Sequence, residues 1–515
     1  MLSMHHPQVV ADWLRSRVQG DLQCDSRHIR AGDGFVAWPG AATDGRRFVA
    51  GALHAGAAAV LVEAQGVEAF GFNDQRVLAV PGLKAQAGSI ASAYYGDPSG
   101  QLDLIAITGT NGKTSTAWWV GQLLSAVGQP CAVVGTLGIG QPPLAGDTGH
   151  ALVPTGLTTP DPVLLQARLR GMVDAGLRAC AIEASSIGLV EGRLNASRIR
   201  VAVFTNFTQD HLDFHGSMDR YWSAKASLFD WPGLVSAVVN LDDPRGAPLA
   251  ATLAARGLDV WTVGMKGAGH APGARLFAQD IGFTDHGMCL VVGERNADGG
   301  MAESHALSLP LVGRYNVSNL LGVLAVARAQ GVALTDAVQA CRALTPVPGR
   351  MEQVPGTAPG QPLVLVDYAH TPDALEKALQ ALQPLAQQRG GTLWAVVGCG
   401  GDRDASKRPV MAAVAERGAQ HVVLTSDNPR SEDPLAILAQ MQAGLTQPDA
   451  AHTEPDRARA IAWAVHSAQA ADVVLVAGKG HEDYQDVMGI KKPFSDLAQA
   501  QAALQQRAAA SEACA

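Results

Sequence analysis

Runs of aliphatic residues recur along the chain, separated by longer amphipathic stretches. Early on, GFVAW (34–38), AAAVLVEA (57–64) and RVLAV (76–80) are such runs. A second group comprises DLIAIT (103–108), CAVVGT (131–136), ACAIEA (179–184), VAVFTN (201–206) and SAVVNLD (236–242). A third comprises LVLVDY (363–368), LWAVVG (393–398), HVVLTS (421–426) and VVLVAG (473–478), with room for one helix between neighbours. A strand that is apolar without alternation is buried on both faces, as a parallel strand covered by helices is. Turn-forming YYGDPSGQ (94–101) and ALTPVPGRMEQVPG (343–356) separate the groups and read as linkers. The pattern predicts an α/β protein of three domains, at 1–101, 102–345 and 346–515, the middle one with a mostly parallel sheet. A length of 515 residues also suggests about three domains.

Composition narrows the function classes. Hydrophobic residues at 47% and charged ones at 17% describe an ordered globular chain, and 5% aromatics leaves its cores to small and branched aliphatics. A net charge of −8 gives no global attraction for nucleic acid, and no nucleic-acid partner is expected. The start, MLSMHHPQVVADWLRSR, lacks the apolar core of a signal peptide, and no run of ~18 apolar residues implies a membrane span. Cys24, Cys131, Cys180, Cys289, Cys341, Cys399 and Cys514 are odd in number and form no CxxC pair. That disfavours a disulfide framework or structural zinc, and a reduced, cytoplasmic setting is the expectation. The tail QAALQQRAAASEACA (501–515) reads as a helix with a frayed end.

DLIAIT-GTNGKT-STAWWVGQLLSAVG carries the strongest chemistry: a strand, a glycine-bracketed turn, then an amphipathic helix opened by Lys113 and Thr114. Backbone N–H groups of Gly109, Thr110, Asn111 and Gly112 can approach phosphate oxygens, with a helix N-terminus behind them. Lys113 would reach the β- and γ-phosphates of ATP, and Thr114 would ligate Mg²⁺. Ile107 replaces the first glycine of the full G-x-x-x-x-G-K-[ST] pattern. GCGGDR (398–403) begins like a dinucleotide fingerprint but has Arg403 at the last glycine.

Phosphoryl transfer needs further metal ligands. Glu183, ending the run ACAIE, and His211, in TNFTQDHLDFHGS, are the candidates. The plain reading of Glu183 is a partner for a helix cap at Ser185 or Ser186. His211 and His215 are four apart, but HLDFH lacks the glutamate of H-E-x-x-H and is not evidently helical, which disfavours zinc.

GTNGKTS, EASS, TNFTQDHLDFHGS, YWSAK, GRYNVSN, PGRME, DYAHTPD, GCGGDRD, DNPR and GKGHE occur in this order within residues 25–482. Together they resemble the Mur ligase family, in particular its diaminopimelate-adding members. The resemblance implies an N-terminal domain for the uridine nucleotide, a central P-loop ATPase domain and a C-terminal Rossmann-like domain that carries the incoming amino acid. It further implies Glu183 and His211 beside Thr114 at Mg²⁺, and a carbamylated Lys225, where the residues alone suggest a surface lysine. Asn316 and Asn319 match adenine-side positions, and Arg350 and Asp367 match positions that meet ATP from the C-terminal domain. The plain alternatives for the last two are a linker charge and a strand-end cap. Ser26, Thr158, Thr159, Ser185 and Arg193 match contacts to the UDP-N-acetylmuramoyl-dipeptide. Ile187 stands where the family commonly has His. Activity is expected to survive with locally altered packing.

Diaminopimelate differs from lysine by a carboxylate beside its distal amine, which a guanidinium binds through two parallel hydrogen bonds. Arg430 in DNPR matches the family's arginine for this group, completed by Asp427, Asn428 and Pro429; Arg403, Gly478 and Glu482 match the remaining amino-acid contacts. The expected reaction is ATP-dependent addition of meso-diaminopimelate to the D-Glu γ-carboxylate of UDP-N-acetylmuramoyl-L-alanyl-D-glutamate, in peptidoglycan precursor synthesis, by a monomer. The rivals are a lysine-adding or folate-polyglutamate ligase, a regulatory P-loop ATPase that joins nothing, and a silent scaffold.

Overall fold

The computed structural model describes residues 6–40, 43–147, 152–265, 273–284, 287–296, 299–355 and 360–513. Cys514 and the final residue of the second linker, 356, lie outside them. Three sheets and one hairpin organise the chain, and each sheet falls inside one of the intervals expected for the three domains.

The first sheet has four parallel strands in sequence order, Leu22–Gln23, Gly34–Ala37, Ala59–Glu63 and Val77–Val80. Glu63 ends its strand buried, and its carboxylate accepts the free N–H groups of Gly82 (3.0 Å) and Leu83 (2.7 Å) at the start of helix Leu83–Tyr94.

The second sheet has ten strands. At its centre Asp103–Thr108 lies between Ile199–Phe204 and Ala179–Glu183, parallel to both. Ile105 and Ile107 pack on one face and Leu104 and Ala106 on the other, as the period of two in a doubly covered strand requires. The helix that follows, Lys113–Ala126, packs on one face of the sheet with helix Arg314–Ala329 alongside it on the same face, which explains its apolar circumference. Beyond Asp259–Met265 the sheet continues through Leu276–Thr284 and turns antiparallel at Gly287–Arg295 and Met301–Leu309. The sequence reading missed these last strands. Met301–Leu309 is largely solvated on one side and reads MAESHALSL, with too few apolar positions to mark a strand.

The third sheet runs Glu352–Gln353, Leu363–Asp367, Val473–Ala477, Leu393–Cys399, His421–Ser426, His452–Thr453. All neighbours are parallel except the first pair. Thus the segment read as a second linker contributes an edge strand. A hairpin, Tyr484–Val487 with Ile490–Pro493, follows the last parallel strand. Thr371–Pro372 and Asp433–Pro434 start helices here, each pairing a side-chain cap with a proline whose missing N–H costs nothing at that position. Among the described residues no helix is long and apolar enough to cross a membrane.

Candidate active site

The C-terminal ends of the central parallel strands converge on one cavity of about 900 Å³, closed on the far side by the third domain. Gly112 has φ +83°, and a Cβ there would lie 2.3 Å from Asn319 Oδ1. Only glycine lets the loop turn this close to helix Arg314–Ala329. Lys113 then opens its helix and folds back, its Nζ donating to the carbonyls of Gly109 (2.9 Å) and Thr110 (2.8 Å). Burial lowers the pKa of this ammonium.

Thr114 Oγ1 donates to Glu183 Oε2 at 2.9 Å, and Glu183 also accepts the N–H of Thr136 at 2.8 Å. The carboxylate therefore joins two strand ends rather than serving a cap. Ser185 caps helix Ser186–Val190 alone, accepting from Gly188 N–H. Lys225 is 1% exposed, not a surface lysine; its Nζ donates to Gly109 O at 2.7 Å and lies over the Tyr221 ring. Burial first, and the charge of Lys113 second, push its pKa well below the usual lysine value. His211 is half-exposed on the cavity wall at φ +50°, beside Asp210, with its pKa lowered chiefly by desolvation. The residues after it form a short helix, Leu212–His215, where none was expected. His215 is buried and shares a hydrogen bond with Ser186 Oγ, so the two histidines serve different places. Among the described residues no group of three or more His, Cys, Asp or Glu side chains forms a metal cluster.

Arg350 stacks over Tyr368 and reaches Thr114 Oγ1 at 3.3 Å, so this residue from the second linker enters the cavity. Asp367 also lines it while accepting the N–H groups of Met351 and Ala369; it is both a strand-end cap and a cavity group, and burial raises its pKa. Asn319 donates to Asn316 Oδ1, which fixes both amides at the helix start. Thr159, Ser185 and Arg193 interlock: Arg193 donates to Thr159 O, and the two hydroxyls lie 2.9 Å apart. Thr158 bonds with Thr136, and Thr158 and Ser185 reach the cavity. Ser26 sits on the short turn Ser26–His28 of the first domain and does not line it.

The residues expected to read the amino acid form a separate group at the strand ends of the third sheet. Arg430 has φ +52°, held by its N–H donating to Asp486 O and its carbonyl accepting from Met488 N–H, both on the hairpin. Its Nη1 donates to Gly401 O at 2.7 Å, and a Cβ on Gly401 would meet Pro429 O at 2.0 Å. Asn428 Nδ2 donates to Glu482 Oε2 at 2.8 Å, and Asp427 is buried beside Gly478. Arg403 stays exposed on its loop.

Sequence reasoning passed over two residues that the fold makes prominent. Asp373, at the start of helix Pro372–Gln388, accepts from Asn111 Nδ2 and Thr208 Oγ1 and so ties the third domain to the glycine-bracketed turn before Lys113. Lys479 is fully buried among the amino-acid residues. Both lay inside quoted motifs, but their partners are far away in the chain: Asn111 and Thr208 for Asp373, Asn428 for Lys479.

Residues 107–327 match the Mur ligase middle domain, 349–480 the Mur ligase glutamate ligase domain, and 21–95 the Mur ligase family catalytic domain. The UDP-N-acetylmuramoyl-L-alanyl-D-glutamate–2,6-diaminopimelate ligase of Acidovorax sp. (strain JS42) is 55% identical over 97% of both chains. This chain belongs to the Mur ligase family. The ligase of the same name from Janthinobacterium sp. (strain Marseille) is 48% identical, again over 97% of each chain. A solved structure of such a ligase superposes on this Mur ligase with a TM-score of 0.62 at 34% identity, covering 95% of each chain.

Proposed function

We propose that the two groups of residues are the halves of one ligation site. The chain is a UDP-N-acetylmuramoyl-L-alanyl-D-glutamate–2,6-diaminopimelate ligase, which adds meso-diaminopimelate to the dipeptide precursor in peptidoglycan synthesis. The observation that carries the nucleotide-side assignments is the joint cavity: Lys113, Glu183 and Lys225 from the second domain face Arg350 and Asp367 from the third. In this reading a single cytoplasmic chain is the catalytic unit.

A γ-carboxylate oxygen of the D-glutamyl residue attacks the γ-phosphorus of ATP. The bond to ADP breaks, leaving an acyl phosphate. The amine of diaminopimelate then attacks the acyl carbon, a tetrahedral intermediate collapses with loss of phosphate, and the amine proton passes to solvent. Lys113 leaves its two carbonyls for the phosphate oxygens, and loop N–H groups of 109–112 donate to them. Asn316 and Asn319 flank the base; Arg350 and Asp367 hold the nucleotide from the other domain. Thr158, Thr159, Ser185 and Arg193 orient the muramoyl-dipeptide and Ser26 its uridine end.

The hydroxyl of Thr114 and the carboxylate of Glu183 are hard oxygen donors that would hold Mg²⁺, with the softer nitrogen of the His211 ring on the same cavity wall. When bound, Mg²⁺ neutralises charge on the β- and γ-phosphates. The lowered pKa of Lys225 favours its neutral amine, the form that adds to CO₂ with release of a proton. The resulting carbamate would place an anion beside Gly109, whose carbonyl also meets Lys113. At the other end Arg430 binds the distal carboxylate, and Asp427, Asn428, Gly478 and Glu482 the amino-acid group, with Arg403 at the rim.

The test is phosphate release from ATP with the UDP-dipeptide, comparing meso-diaminopimelate with L-lysine, and mass detection of the tripeptide. Product with diaminopimelate and little with lysine is expected; equal product with lysine overturns the role of Arg430.

A further inference from the structure

Lys479 is 0% exposed, yet its ammonium lies within the amino-acid group. Its Nζ donates to Asn428 Oδ1 at 3.0 Å and to Glu482 Oε2 at 2.8 Å, and faces the Tyr484 ring at 5.4 Å. An ammonium has donors only, and so does the second partner of Asn428 Oδ1, the Asp486 N–H at 2.9 Å. Two donors on one oxygen settle which way the Asn428 amide faces. Its Nδ2 must then point at Glu482, and it does, donating to Oε2 at 2.8 Å.

Glu482 Oε2 is thus committed twice, by Lys479 and by Asn428, while Oε1 accepts no hydrogen bond among the described residues. One carboxylate oxygen anchors the side chain and the other is left for a ligand donor. Lys479 reaches this position because Gly478, at φ +121°, and Gly480, at φ +53°, fold the loop over it; a Cβ on Gly480 would meet Gly349 O at 2.7 Å. Buried ammonium groups are rare without a partner, and here both partners belong to the proposed amino-acid site.

We infer that Lys479 is a positioning residue for amino-acid selection, orienting Asn428 and Glu482 so that Glu482 Oε1 receives the ammonium of the incoming amino acid. This rests on the reading of Glu482 and Asn428 given above. Lys479 itself touches no substrate: it fixes the amide, compensates the carboxylate and leaves one oxygen open.

The test is steady-state kinetics of Lys479→Met in the full chain, with KM measured separately for meso-diaminopimelate, ATP and the UDP-dipeptide. The KM for diaminopimelate is expected to rise roughly 10- to 100-fold, the range for loss of hydrogen bonds to a charged group, with the other two nearly unchanged. In a Glu482→Gln background the same substitution should add less than about 3-fold, because the residue it acts through is already impaired. Should Lys479→Met not fold, Lys479→Gln keeps a donor without the charge and allows the same comparison. Equal rises in all three KM values, or additive effects with Glu482→Gln, would assign Lys479 to general stability and overturn the inference. Absence of any diaminopimelate product from the unsubstituted enzyme would instead overturn the functional reading on which it stands.

Discussion

The cavity proposed for the nucleotide and the group proposed for the amino acid handle buried charge in opposite ways. In the cavity, Lys113 and Lys225 meet carbonyl oxygens of the phosphate loop, and among the described residues neither has a carboxylate within ion-pair distance. In the third domain the buried cations are paired: Lys479 with Glu482 at 2.8 Å and Arg457 with Asp496 at 2.7 Å. In the proposed reading ATP brings several negative charges to this cavity, and cations poised without partners gain most when it arrives. An amino acid is a zwitterion, small in net charge, and is recognised by geometry. A site of that kind is best held rigid by ion pairs completed within the protein.

The largest test of this contrast is Lys113→Met. Loss of an unpaired cation in the cavity should lower kcat/KM for ATP by about 10³-fold with little change in melting temperature, because the ammonium is destabilised in the free protein. Phosphate release and thermal denaturation read the two effects; a large fall in stability would break the comparison.

Arg457 should behave in reverse. Its guanidinium donates to Ser426 O and Ala477 O, the strand ends that lead into DNPR and GKGHE, as well as to Asp496. Arg457→Met leaves Asp496 buried and alone, a loss of roughly 3–5 kcal/mol visible in chemical denaturation. The pair Arg457→Met with Asp496→Leu should recover most of it.

A smaller effect is expected at Arg430. Arg430→Ala should raise the KM for meso-diaminopimelate by the equivalent of about 1–3 kcal/mol and leave the KM for ATP nearly unchanged, measured by coupled phosphate release. Equal changes in both would merge the two regions.

The most gradual is a pH effect at the boundary between them, spread across a window of pH rather than seen at one condition. Burial, then the nearby charges of Arg350 and Lys479, lower the pKa of His481 from 6.5 to about 4. Between those values the unfolded chain binds a proton that the folded chain does not, so stability falls as pH drops through that window and levels off below it. His481→Gln should flatten the slope of melting temperature across the same window.

How much of this could be read from the chain depended on how local the feature is. The strand DLIAIT, its glycine turn and the helix at Lys113 form one contiguous segment whose residues contact each other across short separations. Their arrangement follows from backbone geometry, and the structure begins and ends that strand where the apolar run does. The far strands of the second sheet were not legible, because half-solvated antiparallel strands carry few apolar residues. Glu183 was placed at a strand end by the sequence, but its bond to Thr114, on the helix that follows the neighbouring strand, needed the sheet order.

The sequence by itself determined the class of fold, the strand–turn–helix at Lys113 and the set of motifs that mark the family, since each rests on periodicity or contiguous residue type. Tertiary structure alone decided which charges are buried and with whom. By its residues alone Lys225 reads as a surface lysine, and Lys479 was passed over; the structure buries both. Burial is a property of what lies overhead, and the residues that cover these lysines come from distant parts of the chain: Gly109 for Lys225, Asn428 for Lys479.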